Sequence, residues 1–482
     1  MTSTTQAAAA EQQAPAHGWW PLVVIASAHL MAILDTTVMF VALPSVQHAL
    51  GLSVTARQWT VTAYTLAFAA LLLVGGRLAD RLGARRTLLI GVVGFALASA
   101  LGGASVTGAM LIAARAGQGA AAALLVSSTK SLLVTVYTGD KERTRAIGIF
   151  SATLTAGAAA GLILGGVLTT ELSWRWCLYV NVAVSLIAII AGPRVLPALP
   201  ARREIRIDLP SALLASAGMA ALVYGLGEAA SAGWGSGQVV SSLAMAAAAL
   251  AGFAGRQAGH PNRLLPLRVV CERNRGGALI ALIVNSLSTF GMMLILTYQL
   301  QSVMGYSALR TGLALVPFAI GAALAAAVLA PRLEKRIAPR WLIAAGIVLS
   351  AAGLLLLVGL TATSRYLPLI LTATIIEGIG TGLGGPTMLQ TSLRGVLPCD
   401  TGAASAAGSA ASQLGSSIGT ALLNTIAATA TAAYLAAHAG ATAVTATVHG
   451  YTTAMAWGAG ILLVTAIPAL VLINAKAPSP RR

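Results

Sequence analysis

A chain of 482 residues in which 57% are hydrophobic and 9% charged, with a mean hydropathy of +0.83, is far too apolar for a water-soluble domain of that length. In a bilayer only helices and closed barrels satisfy every backbone group, and apolar runs of about 20 residues fit helices rather than the alternating strands of about 10 that a barrel needs. The formal charge of +17 does not signal nucleic acid, because the 30 bases are scattered between apolar runs instead of gathered on one face.

Residues 1–17 lack a basic leader and precede a full-length span, so a disordered tail is expected there rather than a cleaved signal. Apolar runs then follow at 20–46, 57–78, 86–106, 108–136, 145–170, 176–197, 209–230, 237–255, 277–301, 311–330, 340–361, 366–393, 403–435 and 450–474. The expected fold class is an all-α membrane protein with 14 transmembrane helices, which puts both termini on one side. Lys and Arg decide which side, since basic loops are held back from translocation. One set of connections and the C-terminal tail carry 24 bases, among them Arg77, Arg81, Arg85 and Arg86; the opposite set carries 4, Arg57, Arg175, Arg310 and Arg365. Both termini are therefore expected in the cytoplasm. Cys177, Cys271 and Cys399 match no metal spacing and no disulfide framework.

An internal repeat organises these spans. GRLADRLGARRTLLIG has a degenerate echo in PRLEKRIAPRWLIAAG 255 residues later, and Gly157 and Gly161 recur as Gly415 and Gly419, displaced by 258. Two nearly equal displacements argue for duplicated halves, as in secondary transporters that bind cargo between the halves near the midplane. The expected domains are an N-terminal six-helix lobe (18–200), two inserted helices with linkers (201–262), a C-terminal six-helix lobe (263–475) and a tail (476–482).

Several stretches carry a resemblance that covers essentially the whole chain: LDTTVMFVALP on helix 1, GGRLADRLGARR after helix 2, RAGQG at 115–119, WRWCLYVNVAV at 174–184, TYQLQSVMGYSALRTGLALVP at 297–317 and QLGSSIGTALL at 413–423. Together they resemble the fourteen-helix drug:proton antiporters of the major facilitator superfamily. That resemblance implies a conformational latch at Gly76, Arg77, Asp80, Arg81, Gly83 and Arg85, and a central cavity lined by helices 1, 4, 9 and 12. Gly157, Gly161, Gly165 and Gly166 form a small-residue seam that lets another helix approach closely. The family's antiporter motif has proline after its second glycine, where this chain has Leu162; Ser127 and Ala183 also stand where prolines are common, so bends there are not expected.

Charges at membrane depth are expensive, so each should face a partner or a wet hollow. At about 1.5 Å per residue, Asp35 lies roughly 21 Å from the cytoplasmic side and Arg115 roughly 10 Å below the opposite surface, at a shared level. Asp35 is the first candidate proton carrier, with Arg115 tuning it; the plain alternative is a permanent ion pair. Glu377, near the midplane of helix 12 and aligned with Gln118 in the repeat, is a second proton site, an attractor of cationic cargo, or a satisfied buried acid. The hollow is assigned Asp35, Met39, Gln118, Asn285, Gln301 and Glu377. Lys130 reaches the cytoplasmic interface and snorkels, His29 packs or lines, and His438 and His449 have no acidic neighbours for a metal.

No nucleotide-binding or hydrolase motif stands in the chain, so it reads as no enzyme, without cofactor or metal, driven by a gradient with the proton as coupling ion. One proton falling through about 100 mV gains about 2.3 kcal/mol, and one pH unit adds about 1.4, enough for roughly a 500-fold gradient of a neutral cargo. The expected function is proton-coupled export of antibiotics or other amphipathic, drug-like small molecules across a bacterial cytoplasmic membrane, by a monomer in contact with lipid. The Ala, Gly and Arg-rich usage points to a GC-rich genome and self-resistance in a producing organism. A proton-coupled uptake symporter is the first alternative; a non-transporting receptor or enzyme is the second.

Overall fold

A backbone without water must close its own hydrogen bonds, and the sequence answers with helices. The computed structural model describes residues 19–137, 140–197, 208–259, 267–396 and 401–474. Its long helices are α1 (Trp20–Leu50), α2 (Val54–Leu82), α3 (Ala84–Gly103), α4 (Gly108–Val136), α5 (Asp140–Val167), α6 (Trp176–Val195), α7 (Leu209–Ala232), α8 (Gly237–Gly259), α9 (Arg273–Tyr298), α10 (Ala308–Leu324), α11 (Pro339–Leu357), α12 (Leu371–Leu393), α13 (Thr401–Ala437) and α14 (Ala443–Leu472). Single turns of π-helix, Gln299–Val303 and Tyr366–Ile370 among them, extend several of these. The tails at 1–17 and 476–482 and Cys399 lie outside the described residues.

Local chemistry sets the ends. Ser53, Thr107, Ser307 and Thr442 each accept a hydrogen bond from a first-turn backbone N–H, and Glu272 takes two, from Asn274 and Arg275. Gly51 closes α1 at φ +59°, a left-handed conformation that glycine adopts without strain.

Twelve of the described helices are long and apolar enough to cross a membrane by length and composition. Neither α2 nor α5 is among those twelve. α5 opens on the charged stretch Asp140-Lys141-Glu142-Arg143, ahead of apolar sequence. α2 is also longer than the apolar run suggested. It continues helically through Gly76, Arg77, Asp80 and Arg81 to Leu82, and the expected loop shrinks to Gly83 at φ +89°.

The packing is pseudo-symmetric. α2 and α3 both lie along α4, as α10 and α11 lie along α12; α1 packs on α5 as α9 packs on α13; α3 meets α6 as α11 meets α14. The two six-helix groups join along α2–α13 and α5–α10. On the α2–α13 seam a polar ladder alternates with apolar packing: Arg57 and Gln58 bond Asn424, Thr62 meets Thr420 at 3.3 Å, and Ser417 donates to Thr65 at 2.6 Å. Arg57 was expected in a connection outside the membrane. Instead it sits in the first turn of α2, buried, with its guanidinium 4.1 Å from the Tyr298 ring centroid, because the helix starts earlier than the apolar run.

The inserted α7 lies across this seam. Val223 packs with Leu66 of α2 and Ala421 of α13, Ser216 donates to the Ala70 carbonyl, and Thr425 donates to the Leu226 carbonyl. At its start Asp208 caps Ser211 and accepts two bonds from the Arg256 guanidinium of α8, each 3.2 Å. Burial works against ionisation of Asp208, but the bonds from Ser211 and Arg256 outweigh it and hold the carboxyl below its ordinary range.

Candidate functional site

Five helices of the N-terminal group converge on Asp35. Its side chain is fully buried and paired with Arg115 of α4. The other carboxylate oxygen accepts from Asn181 Nδ2 of α6 at 2.8 Å and from Gln118 Nε2 of α4 at 3.0 Å. Gln118 is itself steered: its Nε2 also reaches Ser99 Oγ of α3 at 2.8 Å, and its Oε1 accepts from Arg115 at 2.8 Å. Arg115 donates in addition to the Thr60 carbonyl of α2 at 3.1 Å and lies 4.5 Å from the Tyr64 ring centroid. Tyr64 donates to the Ala32 carbonyl of α1.

This arrangement is a carboxylate held by three donors, with a cation that has partners of its own. Arg115 keeps a carbonyl, an amide oxygen and an aromatic face when the Asp35 contact is removed. Breaking the pair therefore strands neither side completely.

The six residues assigned to a hollow fall in several separate sets of contacts. Asp35 and Gln118 lie inside the N-terminal group. Met39 packs among Val38, Ala42, Leu111 and Leu178. Gln301 donates to the Val41 carbonyl at 2.8 Å, and Tyr298 donates to Gln47, so both tie α9 and its π-turn to α1 at the ends remote from the termini. Asn285 is buried with its Oδ1 unpartnered. Glu377 is wholly buried in the C-terminal group and accepts at one oxygen from Thr289 of α9 and Thr381 of its own helix. Depth along a helix does not by itself specify which neighbour a side chain faces.

The expected latch stretch closes α2 and opens α3. Arg85 donates to the Pro193 carbonyl at 2.7 Å, within its own group of helices, and Arg81 is exposed. Nothing approaches the Cβ direction of Gly76, and the side chain of Asp80, like that of Lys130, is outside the described set. The glycine seam is a contact surface: a Cβ on Gly157, Gly161 or Gly165 would run into Leu30, Thr37 or Val38 of α1, and one on Gly166 into Leu309 of α10. Leu162 presents its carbonyl to Gly312 of α10 in the same interface. Ser127 donates to the Leu72 carbonyl of α2, Ala183 is exposed, and His29 bonds Thr129 at 3.1 Å with its ring edge-on to Phe150. His438 and His449 flank the ring of Tyr434.

Asn181, Ser99, Tyr64 and Thr60 were missed by sequence reasoning. Of these only Asn181 carried a signal, since it stands in the quoted WRWCLYVNVAV stretch.

Comparison with known proteins places this geometry. The family model described as Major Facilitator Superfamily matches residues 25–420. A puromycin resistance protein of Streptomyces alboniger is 44% identical over 463 residues, covering 95% of this chain and 92% of that one. The cephamycin export protein of Amycolatopsis lactamdurans is 41% identical over 390 residues, 80% of each chain. Among solved structures, a bacterial homologue of the human lysosomal transporter Spinster, described as inward-facing and unoccupied, aligns with a TM-score of 0.66 at 16% identity over 97% of this chain and all of that one, a likeness of fold.

Proposed function

The chain belongs to the major facilitator superfamily, and on that premise we propose that it is a proton-coupled exporter of antibiotics or other amphipathic small molecules, of the fourteen-helix drug:proton antiporter type. In this reading α2 and α5 also cross the bilayer, both termini face the cytoplasm, and the seam bonds at Arg57, Tyr298 and Gln301 close the outer side. The small-molecule class follows the names of its relatives, a puromycin resistance protein and a cephamycin export protein.

The observation that carries the proton is the Asp35 cluster. A carboxylate at membrane depth is tolerated because Arg115, Gln118 and Asn181 neutralise and solvate it. A proton arriving at Asp35 removes its charge and releases Arg115 to Thr60, Gln118 and Tyr64. Losing that proton restores the pair. Five helices feel the change, so protonation is tied to how they pack. Gln118 and Asn181 act as positioning residues.

Everted membrane vesicles acidified inside test the reading with labelled puromycin and cephamycin. Antiport predicts that at least one accumulates and that a protonophore abolishes the accumulation. Expulsion of a preloaded compound down the same proton gradient supports uptake symport instead, and no proton-dependent movement of either overturns the proposal.

A further inference from the structure

Resting on that proton-coupled reading, we propose that Glu377 is a second proton-exchange site, housed in the C-terminal six-helix group and working independently of Asp35. Four observations carry it.

The first is its hydrogen bonding. Thr289 Oγ1 reaches Glu377 Oε1 at 2.8 Å and Thr381 Oγ1 reaches the same oxygen at 3.2 Å. Each hydroxyl has one proton to give. Glu377 Oε2 is buried and receives none.

The second is charge. Asp35 has Arg115 beside it, whereas no described ion pair reaches Glu377. The helices packed on it offer no counter-charge there: α9 contributes Thr289, and α11 presents Gly353 against the Glu377 Cβ. α10 meets α12 one residue on, through the Phe318 backbone at Gly378. The charged residues of these elements, Arg273 and Arg275 of α9, Arg310 of α10 and Arg340 of α11, lie in their end turns; Arg332 and Glu334 stand in the short helix Ala330–Glu334, which meets α12 where Thr387, ten residues from Glu377, donates to Glu334. Tyr366, in the π-turn before α12, is engaged with the Ala314 carbonyl. A buried carboxylate without a counter-cation is the costly form of this group, and binding one proton at Oε2 makes it a neutral acid.

The third is the repeat. Glu377 is the mate of Gln118, displaced by 259 residues, and the same displacement takes Arg115 to Thr374. Thr374 bonds the Ile370 and Leu371 carbonyls of its own helix chain. Each half thus places one acid at the equivalent helix contact, on α1 in one and on α12 in the other, but the guanidinium exists in only one half. The N-terminal acid exchanges a proton against an ion pair, and the C-terminal acid exchanges a proton with only two threonine hydroxyls to compensate it.

The fourth is a route. Thr381 is half-buried and its Oγ1 lies 3.2 Å from both Glu377 Oε1 and Thr289 Oγ1, so a hydroxyl pair leads from the buried oxygen toward the surface of α12. One turn along α9 from Thr289, the buried Oδ1 of Asn285 also lacks a donor. The balance is simple: Glu377 carboxylate plus one proton gives the acid, and the acid returns the proton to water.

Infrared titration of the purified transporter tests this without cargo. Protonated carboxyls give a carbonyl stretch distinct from carboxylates, and exchangeable ones shift in D2O. The expected result is a titrating, D2O-sensitive band that vanishes in Glu377→Gln and persists with its midpoint unmoved in Asp35→Asn. Thr289→Val, which keeps the acid, should retain the band and displace its frequency, which guards against a misfolded Glu377→Gln. Spectra of wild type and Glu377→Gln that coincide, a band that neither titrates nor shifts in D2O, or a midpoint that moves with Asp35→Asn would each overturn the inference. Puromycin accumulation that depends on Asp35 alongside a silent Glu377 would sink this inference alone and leave the exporter reading intact.

Discussion

At the scale of single residues, the Asp35 cluster surrounds an expensive buried charge with donors, which is what the proposed proton switch requires. Removing only the cation should cost the most. Arg115→Ala leaves a buried carboxylate with two amide donors, and breaking a buried pair in this way costs about 3–5 kcal/mol. Thermal unfolding in detergent should show that loss, while Asp35→Asn combined with Arg115→Gln should recover much of the stability and none of the proton-driven transport. A double variant as unstable as Arg115→Ala would mean that the pair is not the source of the cost. Asp35 and Arg115 were legible in the sequence because charges are scarce in the spans and rise per residue converts position to depth. Asn181, Ser99 and Thr60 were not, since an uncharged polar side chain in a helix marks neither depth nor face. Arg57 was misplaced for a related reason: hydropathy registers where lipid-like residues begin, whereas Ser53 caps α2 four residues before Arg57.

At the scale of elements, close approach and capping decide more than hydropathy does. A Cβ on Gly312 would overlap the Leu162 carbonyl, so Gly312→Val should force α10 from α5 and lower both stability and transport, whereas Gly76→Ala, with open space around it, should leave stability unchanged. The glycine spacing on α5 was readable from the sequence; its partners, α1 for three glycines and α10 for the fourth, came only with the fold. The α7–α8 hairpin offers a pH test. Asp208 is held below its ordinary range, so its contribution to stability is present above the unfolded carboxylate value and is lost as pH falls through the lowered one. Wild type should therefore outlast Asp208→Asn in thermal unfolding at neutral pH, and the margin should shrink below about pH 4. A margin that does not change with pH would remove Asp208 from that role.

At the scale of the whole molecule, the halves meet through bonds that an alternating-access cycle has to break. Thr62 and Thr420 face each other at 3.3 Å across the seam. Cysteines at both positions, with Cys177, Cys271 and Cys399 replaced by Ser, should cross-link under oxidation, stop transport and recover on reduction. Full cross-linking with undiminished transport would show that the halves do not part there. The duplicated plan was visible in two displacements of the sequence, and the pairings of α1–α6 reappear in α9–α14. The position of α7 over the seam was hidden, because an inserted apolar helix has no repeat mate to fix its neighbours. The central claim, that cargo and proton exchange through Asp35, is tested most directly by adding puromycin to the purified transporter in weakly buffered detergent solution and recording the pH. The account predicts protons released by wild type and a release diminished in Asp35→Asn; equal release from both proteins would contradict it.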